Sequence, residues 1–198
     1  DNFFYKKRKI LINKISLDLI GKFNLQNVLA TYIVSKIFYI SNAIFLKTIK
    51  NYRGLPYRNK LIKKNYKFIV INNSKATNVE STYNSLHGYN NVFLIMGGRA
   101  KENNFKKILK LRKRINTVFV YGESGKLIQD QLQSKIKVKR FNSLKIVLKN
   151  LFQEIKNISE KTTILFSPAC TSYDQYKNFE ERGEHFSLLV KNFTKDLL

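Results

Sequence analysis

The chain has 198 residues, 43% hydrophobic and 13% aromatic, with 37 Lys and Arg against 13 Asp and Glu for a formal net charge of +24. That apolar content excludes a disordered chain, and the length allows one full domain and part of a second without disulfides or a structural metal. A single cysteine, Cys170, excludes an intramolecular disulfide, so a reducing, cytoplasmic setting is expected.

The chain opens on Asp1-Asn-Phe-Phe-Tyr5 with no signal-peptide pattern and reads as the middle of a longer, soluble protein. Residues 9–19 alternate roughly between apolar and polar (Ile10, Ile12, Ile15, Leu17), as a strand or two would. GKFNLQN (21–27) opens a helix reaching about Phe38, with Asn24 as a candidate N-cap and Asn27 as a polar residue of the first turn. The most apolar window, 28–46, contains Lys36, Ser41 and Asn42, which a bilayer core would penalise, so no membrane span is expected there. It reads as two helices around a turn, the second over 43–52. GLPYR (54–58) joins a glycine to a proline and gives the strongest linker signal in the chain. It sets the expected boundary between a domain 1–53 and a domain 54–198.

Beyond that boundary strands alternate with helices. Residues 59–63 and 67–71 read as a hairpin turning at Lys64-Asn65. Helices are expected over 77–87, 104–113 (strongly basic), 124–133, 143–157 and 174–192. Strands are expected over 92–96, 117–121, 136–140 and 162–166. This rhythm implies right-handed crossovers and a mostly parallel sheet covered on both faces, an α/β, Rossmann-like fold.

The charge fits a nucleic-acid partner. It fits better a compositional preference for Lys, Asn and Ile on solvated faces, since the cations run the length of the chain with no nucleic-acid fold signature. Gly122-Glu-Ser-Gly125-Lys126 lacks the spacing of a phosphate-binding loop and has Leu127 after the lysine, so it reads as a strand-to-helix turn. His87, His185 and Cys170 have no metal-ligand spacing, and no metal site is expected within the chain. Three strand ends remain. Asn72-Asn-Ser-Lys75-Ala-Thr77-Asn78 follows one strand and Gly97-Gly-Arg-Ala-Lys101 follows the next. Ser167-Pro-Ala-Cys-Thr-Ser172-Tyr173 follows the last, with Ser172 expected beside a helix start. Two adjacent lysine-bearing strand ends and a third with hydroxyls would fall on one rim, where unpaired N–H groups also favour anions.

GLPYR, INNSKATN, GGRAK and SPACTSYDQYKNFEERG, in this order and spacing, resemble the MurD-type ligases, the D-glutamate-adding ligases of peptidoglycan synthesis. GKFNLQN resembles the family's Gly-x-His-Asn-x-x-Asn segment. The resemblance covers essentially the whole chain but only the second half of the family's architecture. It makes 1–53 the end of a central ATP-binding domain and 54–198 a C-terminal, D-glutamate-binding domain. It implies an ATP- and Mg²⁺-dependent enzyme of the full-length protein, joining D-glutamate to UDP-N-acetylmuramoyl-L-alanine through an acyl phosphate. The P-loop, the metal ligands and the uridine-nucleotide domain would lie upstream, and this portion alone would be inactive. By the same resemblance Thr77, Lys101, Ser172 and the backbone at Tyr173 and Phe179 hold D-glutamate. Lys75 and Arg58 face the phosphate and ribose of ATP, Asn24 and Asn27 the adenine, and Lys75 and Lys101 are the catalytic cations.

Three residues depart from the family pattern: Phe23 and Tyr57 replace histidines, and Asn73 stands where an aspartate accepts from the ribose. Hydrogen bonds to charged groups are worth roughly 1.5–3 kcal/mol and neutral ones about 0.5–1.5, so ATP binding weaker by about tenfold is expected. The departures also fit a degenerate, non-catalytic relative, against which stand the intact Lys75, Thr77, Lys101 and Ser172. A basic nucleic-acid-binding module is the remaining alternative. Catalysis in the family implies closure of this domain onto the preceding one, with a hinge near Gly54.

Overall fold

A computed structural model describes the backbone of residues 2–5, 8–11 and 22–195 and the side chains of 26–195. The chain divides into two compact units, Asp1–Leu55 and Pro56–Leu198. The expected strand over 12–19 and the side chains of Phe23 and Asn24 lie outside the described residues.

The first unit holds an antiparallel pair, β1 (Asn2–Tyr5) and β2 (Arg8–Leu11), and two helices, α1 (Lys22–Ile37) and α2 (Asn42–Asn51). Asn24 is the third residue of α1, past the capping position expected for it, because Lys22 and Phe23 already have helical backbone. The apolar window does bend: α1 ends at Ile37, and Ser41 caps α2 by accepting from the Ile44 N–H. The two helices pack through buried Val28, Tyr32, Phe45 and Ile49, with the Tyr32 and Phe45 rings edge-to-face at 5.1 Å. No described helix is long and apolar enough to cross a membrane.

The second unit is built on a six-stranded sheet in the order β3-β4-β8-β5-β6-β7. Its strands are β3 (Lys60–Lys64), β4 (Phe68–Asn72), β5 (Val92–Gly97), β6 (Ile115–Tyr121), β7 (Lys137–Arg140) and β8 (Thr162–Phe166). β3 joins β4 as an antiparallel hairpin, and every other neighbouring pair is parallel. The hairpin turn is held by Asn65, whose side-chain oxygen accepts from the N–H groups of Lys67 and Phe68 at 3.0 and 2.7 Å, the local bonding that makes asparagine a turn former.

Helices cover both faces, so the central strands are apolar along their length. α3 (Val79–Leu86), a 3₁₀ segment (Lys106–Arg114) and α4 (Gly125–Leu132) share one core with Val92, Leu94 and Met96 of β5. α5 (Leu144–Lys156) and α6 (Phe179–Phe193) share the other core with Phe93, Ile95 and Phe166. The α/β reading, the hairpin and the element order stand.

Three expectations change. The lysine-bearing strands β4 and β5 are not neighbours, because β8 lies between them and pairs with both. The basic stretch 104–113 is not an α-helix but the 3₁₀ segment, with non-helical backbone at Leu111. It packs six cations into nine residues with no acidic residue or side-chain cap in its first turn, and like charges at helical spacing repel. The last helix begins at Phe179, not Asp174. Asn178 caps it by accepting from the Glu181 N–H at 2.8 Å, and the Glu181 carboxylate accepts from the Lys177 N–H at 2.7 Å. Residues 173–176 instead form a turn in which the Ser172 carbonyl accepts from the N–H groups of Gln175 and Tyr176.

Candidate functional site

The parallel strands β4, β8 and β5 end on one rim of the sheet. The chain leaves β4 and β5 toward the face of α3 and α4, but leaves β8 toward the opposite face, where α6 lies. Loops that diverge to opposite faces open a crevice at the carboxyl ends of the strands, and β8 stands at that point with a diverging neighbour on each side.

The loop after β4 is fixed by side chains that the sequence does not show as a group. Asn72 donates to the Gly183 carbonyl (2.7 Å) and the Ser187 hydroxyl (3.0 Å) of α6. Asn73, only 6% exposed, is turned to the interior. Its oxygen accepts from the Asn59 N–H at 3.2 Å, and its amino group donates to the hydroxyls of Ser85 (2.7 Å) and Ser167 (3.1 Å). Those hydroxyls donate onward, Ser85 to the Asn59 side chain and Ser167 to Thr82. Asn73 is thus committed to a neutral network tying β4, α3 and the loop after β8 together.

Arg182 of α6 is the buried centre of the rim. It is fully buried, and it donates to the Ser74 hydroxyl (3.1 Å), the Ser74 carbonyl (2.7 Å) and the Cys170 carbonyl (3.0 Å). It also lies against Gly98, where an added Cβ would come within 3.1 Å of its guanidinium. One cation therefore touches the loops after β4, β5 and β8. No carboxylate pairs with it among the described residues. Unpaired buried charge is costly, and the three neutral acceptors around Arg182 offset that cost.

The β5 and β8 loops are also stitched directly. Arg99 and Thr171 form an antiparallel bridge with N–H to O distances of 3.0 and 2.9 Å, and the Thr171 hydroxyl donates to the Arg99 carbonyl at 2.8 Å. The close approach needs glycine: a Cβ on Gly98, with φ of +124°, would sit 2.1 Å from the Thr171 carbonyl oxygen.

The expected site residues fall on this rim as follows. Lys75 is half-buried and its ammonium sits 3.8 Å above the ring of Phe179. Thr77 is half-buried one residue before Asn78, the N-cap of α3. Lys101 is exposed on the loop after β5, beside Glu102, whose carboxylate accepts from the Val79 N–H at 2.7 Å. Ser172 is 2% exposed and its hydroxyl has no partner among the described residues. Tyr173 is exposed, and Phe179 is the first residue of α6, with its N–H among those a helix start leaves unpaired. Neither Lys75 nor Lys101 has a carboxylate partner among the described residues. Arg58 is exposed, and Asn27 is an exposed residue of α1 in the other unit.

Tyr57, which replaces a family histidine, has left-handed backbone (φ of 59°), and its ring lies over Gly183 and edge-on to Phe179. For a bulky residue that backbone costs on the order of 1–3 kcal/mol, offset by the packing the glycine permits. Burial pushes the Cys170 thiol up to about 12, which keeps it protonated and excludes it as a nucleophile at neutral pH. No group of His, Cys, Asp or Glu side chains suited to a metal ion occurs among the described residues. Gly122–Lys126 turns into α4 as expected, with Ser124 at its cap position.

Sequence reasoning missed Arg182, Ser74, Glu102 and Asn178. For Asn178 a signal existed, since an asparagine three residues before Glu181 is a capping-box pattern. Arg182, Ser74 and Glu102 act across long sequence separations and carry no local signature.

No family model matches the chain. It is 34% identical over 187 residues to the UDP-N-acetylmuramoylalanine–D-glutamate ligase of Wolbachia pipientis wMel, covering 94% of this chain and 36% of that protein. It is also 34% identical over 200 residues to the enzyme of the same name from Prochlorococcus marinus (strain MIT 9312), covering 98% of this chain and 42% of that one. The chain thus spans about two fifths of the length of these relatives. Among solved structures it is similar to the UDP-N-acetylmuramate-alanine ligase MurC of Thermotoga maritima, with a TM-score of 0.63 at 19% identity over 87% of this chain and 39% of that one. It is likewise similar to the bifunctional folylpolyglutamate synthase/dihydrofolate synthase of Yersinia pestis CO92, with a TM-score of 0.66 at 13% identity, over 96% of this chain and 43% of that one. At such identities these structures speak for the fold.

Proposed function

This chain belongs to the UDP-N-acetylmuramoylalanine–D-glutamate ligase family, and we propose that it is the part of such a cytoplasmic enzyme that binds D-glutamate and presents its amine for peptide-bond formation. The observation that carries this reading is the three-loop rim, with a hydroxyl left unpartnered in an otherwise buried serine and two cations without carboxylate partners. A dianionic amino acid needs such a set. Ser172, Thr77, Lys101 and the N–H groups at Tyr173 and Phe179 hold its two carboxylates, which leaves the amine free to attack.

The acceptor of that amine is the activated carboxylate of UDP-N-acetylmuramoyl-L-alanine, and bound ATP with Mg²⁺ supplies the activating phosphoryl group. Within this chain Lys75 and Arg58 offer positive charge to that side of the reaction, with Asn24 and Asn27 toward the adenine. The described residues supply no metal-ligand set, so no Mg²⁺ ligand is assigned here. Residues 1–53 act as the end of the central domain and 54–198 as the D-glutamate domain, with the hinge near Gly54. The inward commitment of Asn73 supports a ribose held without its help.

Calorimetry of D-glutamate binding to the full-length protein and to its Lys101→Ala variant tests the reading. Loss of one charge-assisted contact weakens binding by at least about tenfold. Equal affinity of the two proteins overturns it.

A further inference from the structure

Phe179 enters the reading above only through its backbone N–H, but its side chain is placed with more care than a backbone donor requires. Its ring and the Tyr57 ring stand edge-to-face at a centroid distance of 6.5 Å and an interplanar angle of 77°. Its carbonyl accepts from the Ser74 hydroxyl at 2.8 Å, and that hydroxyl in turn accepts from Arg182 at 3.1 Å. One face of the ring carries the Lys75 ammonium, 3.8 Å from the centroid. Lys75 is the residue after Ser74, and its own N–H donates to the Tyr57 carbonyl at 3.1 Å. Ser74, Lys75, Tyr57 and Phe179 therefore form a closed set, fixed from below by Arg182.

The start of a helix is the positive end of its dipole and repels a cation. Lys75 nevertheless sits there, half-buried and without a carboxylate among the described residues. The negative face of an aromatic ring is what makes such a placement favourable. The ammonium is thereby held on the side chain of the residue that opens α6.

We infer that the Phe179 ring is a positioning residue for Lys75, holding its ammonium over the start of α6 so that the phosphate-facing cation and the D-glutamate-facing backbone donors keep a fixed separation. The consequence for catalysis rests on the function proposed above; the geometry of the pair does not. Substitution by leucine keeps the backbone N–H and removes the ring, and substitution by tyrosine keeps both.

The test has two arms. In the full-length protein with labelled lysine side chains, the Lys75 ε-methylene resonance, assigned with Lys75→Arg, lies upfield of the free-lysine position because of the ring current. Phe179→Leu returns it there, and Phe179→Tyr does not. In steady-state kinetics Phe179→Leu lowers kcat by about tenfold, while the KM for D-glutamate stays within about twofold because the donor N–H remains. Phe179→Tyr recovers the rate. A Lys75 signal at the free-lysine position in the unaltered protein overturns the inference, as does an unchanged kcat in the leucine variant or an equal fall in the tyrosine variant. Should the full-length protein join no D-glutamate at all, the functional reading fails, and the resonance alone decides the positioning.

Discussion

The starts of α3 and α6 are two helix N-termini on one rim, and the fold treats them differently. At α3 a carboxylate from a neighbouring loop, Glu102, accepts from the Val79 N–H, so the place an anion would take is filled from within the chain. Both helices carry a local asparagine cap, Asn78 and Asn178, but at α6 no outside carboxylate accepts from the first N–H groups among the described residues, and a lysine lies on the aromatic ring of the first residue. The anchoring beneath also differs. α3 is tied to the sheet by neutral groups, Asn73, Ser85, Thr82 and Ser167, whereas α6 is tied by the buried cation Arg182 as well as by the neutral Asn72. The difference teaches that a helix start becomes a candidate ligand site only when the protein leaves it unfilled and supplies charge around it.

Breaking the α6 anchor has the largest expected effect. Arg182→Met leaves the Ser74 and Cys170 carbonyls without their donor and costs about 3 kcal/mol of stability, read by urea unfolding of this chain. A loss under about 1 kcal/mol would mean that the guanidinium does not hold the loops together. The α3 anchor is the next test. Asn73→Asp sets a buried carboxylate against two hydroxyls that already donate elsewhere, and is expected to cost about 2 kcal/mol at neutral pH. Tighter ATP binding by this variant in the full-length protein would instead favour a ribose-facing role for position 73. The smallest effects sharpen the comparison itself. Glu102→Ala and Asn178→Ala each remove one cap and cost about 1 kcal/mol. In thermal melts with added D-glutamate, the ligand's stabilising effect falls for Asn178→Ala and is kept for Glu102→Ala.

Much of this was legible in the residues. Thr162–Phe166 is buried along its whole length and reads as a core strand, and the alternation of such runs with helical segments carries the α/β class. The hairpin at Lys64-Asn65 is a local event and reads locally. What escaped was long-range. That β8 inserts between β4 and β5 depends on pairing across some ninety residues, for which the apolar runs Phe68–Asn72 and Val92–Gly97 are equally good partners. The expected start of α6 falls too early because the stretch after Ser172 is as polar as a helix surface, and only the Asn178–Glu181 spacing marks the true beginning. The inward turn of Asn73 follows from serines 12 and 94 residues away.

The bridge between Arg99 and Thr171 has a mechanical consequence. The strands below it run parallel, while the bridge above joins segments that run in opposite directions, so it pins the two loops together beyond the end of the β5–β8 ladder. Sliding β5 past β8 would have to break the two backbone bonds of the bridge. The spacing between the loop bearing Lys101 and the loop bearing Ser172 is therefore set by the framework of the domain, and a ligand spanning both meets a gauge of fixed width.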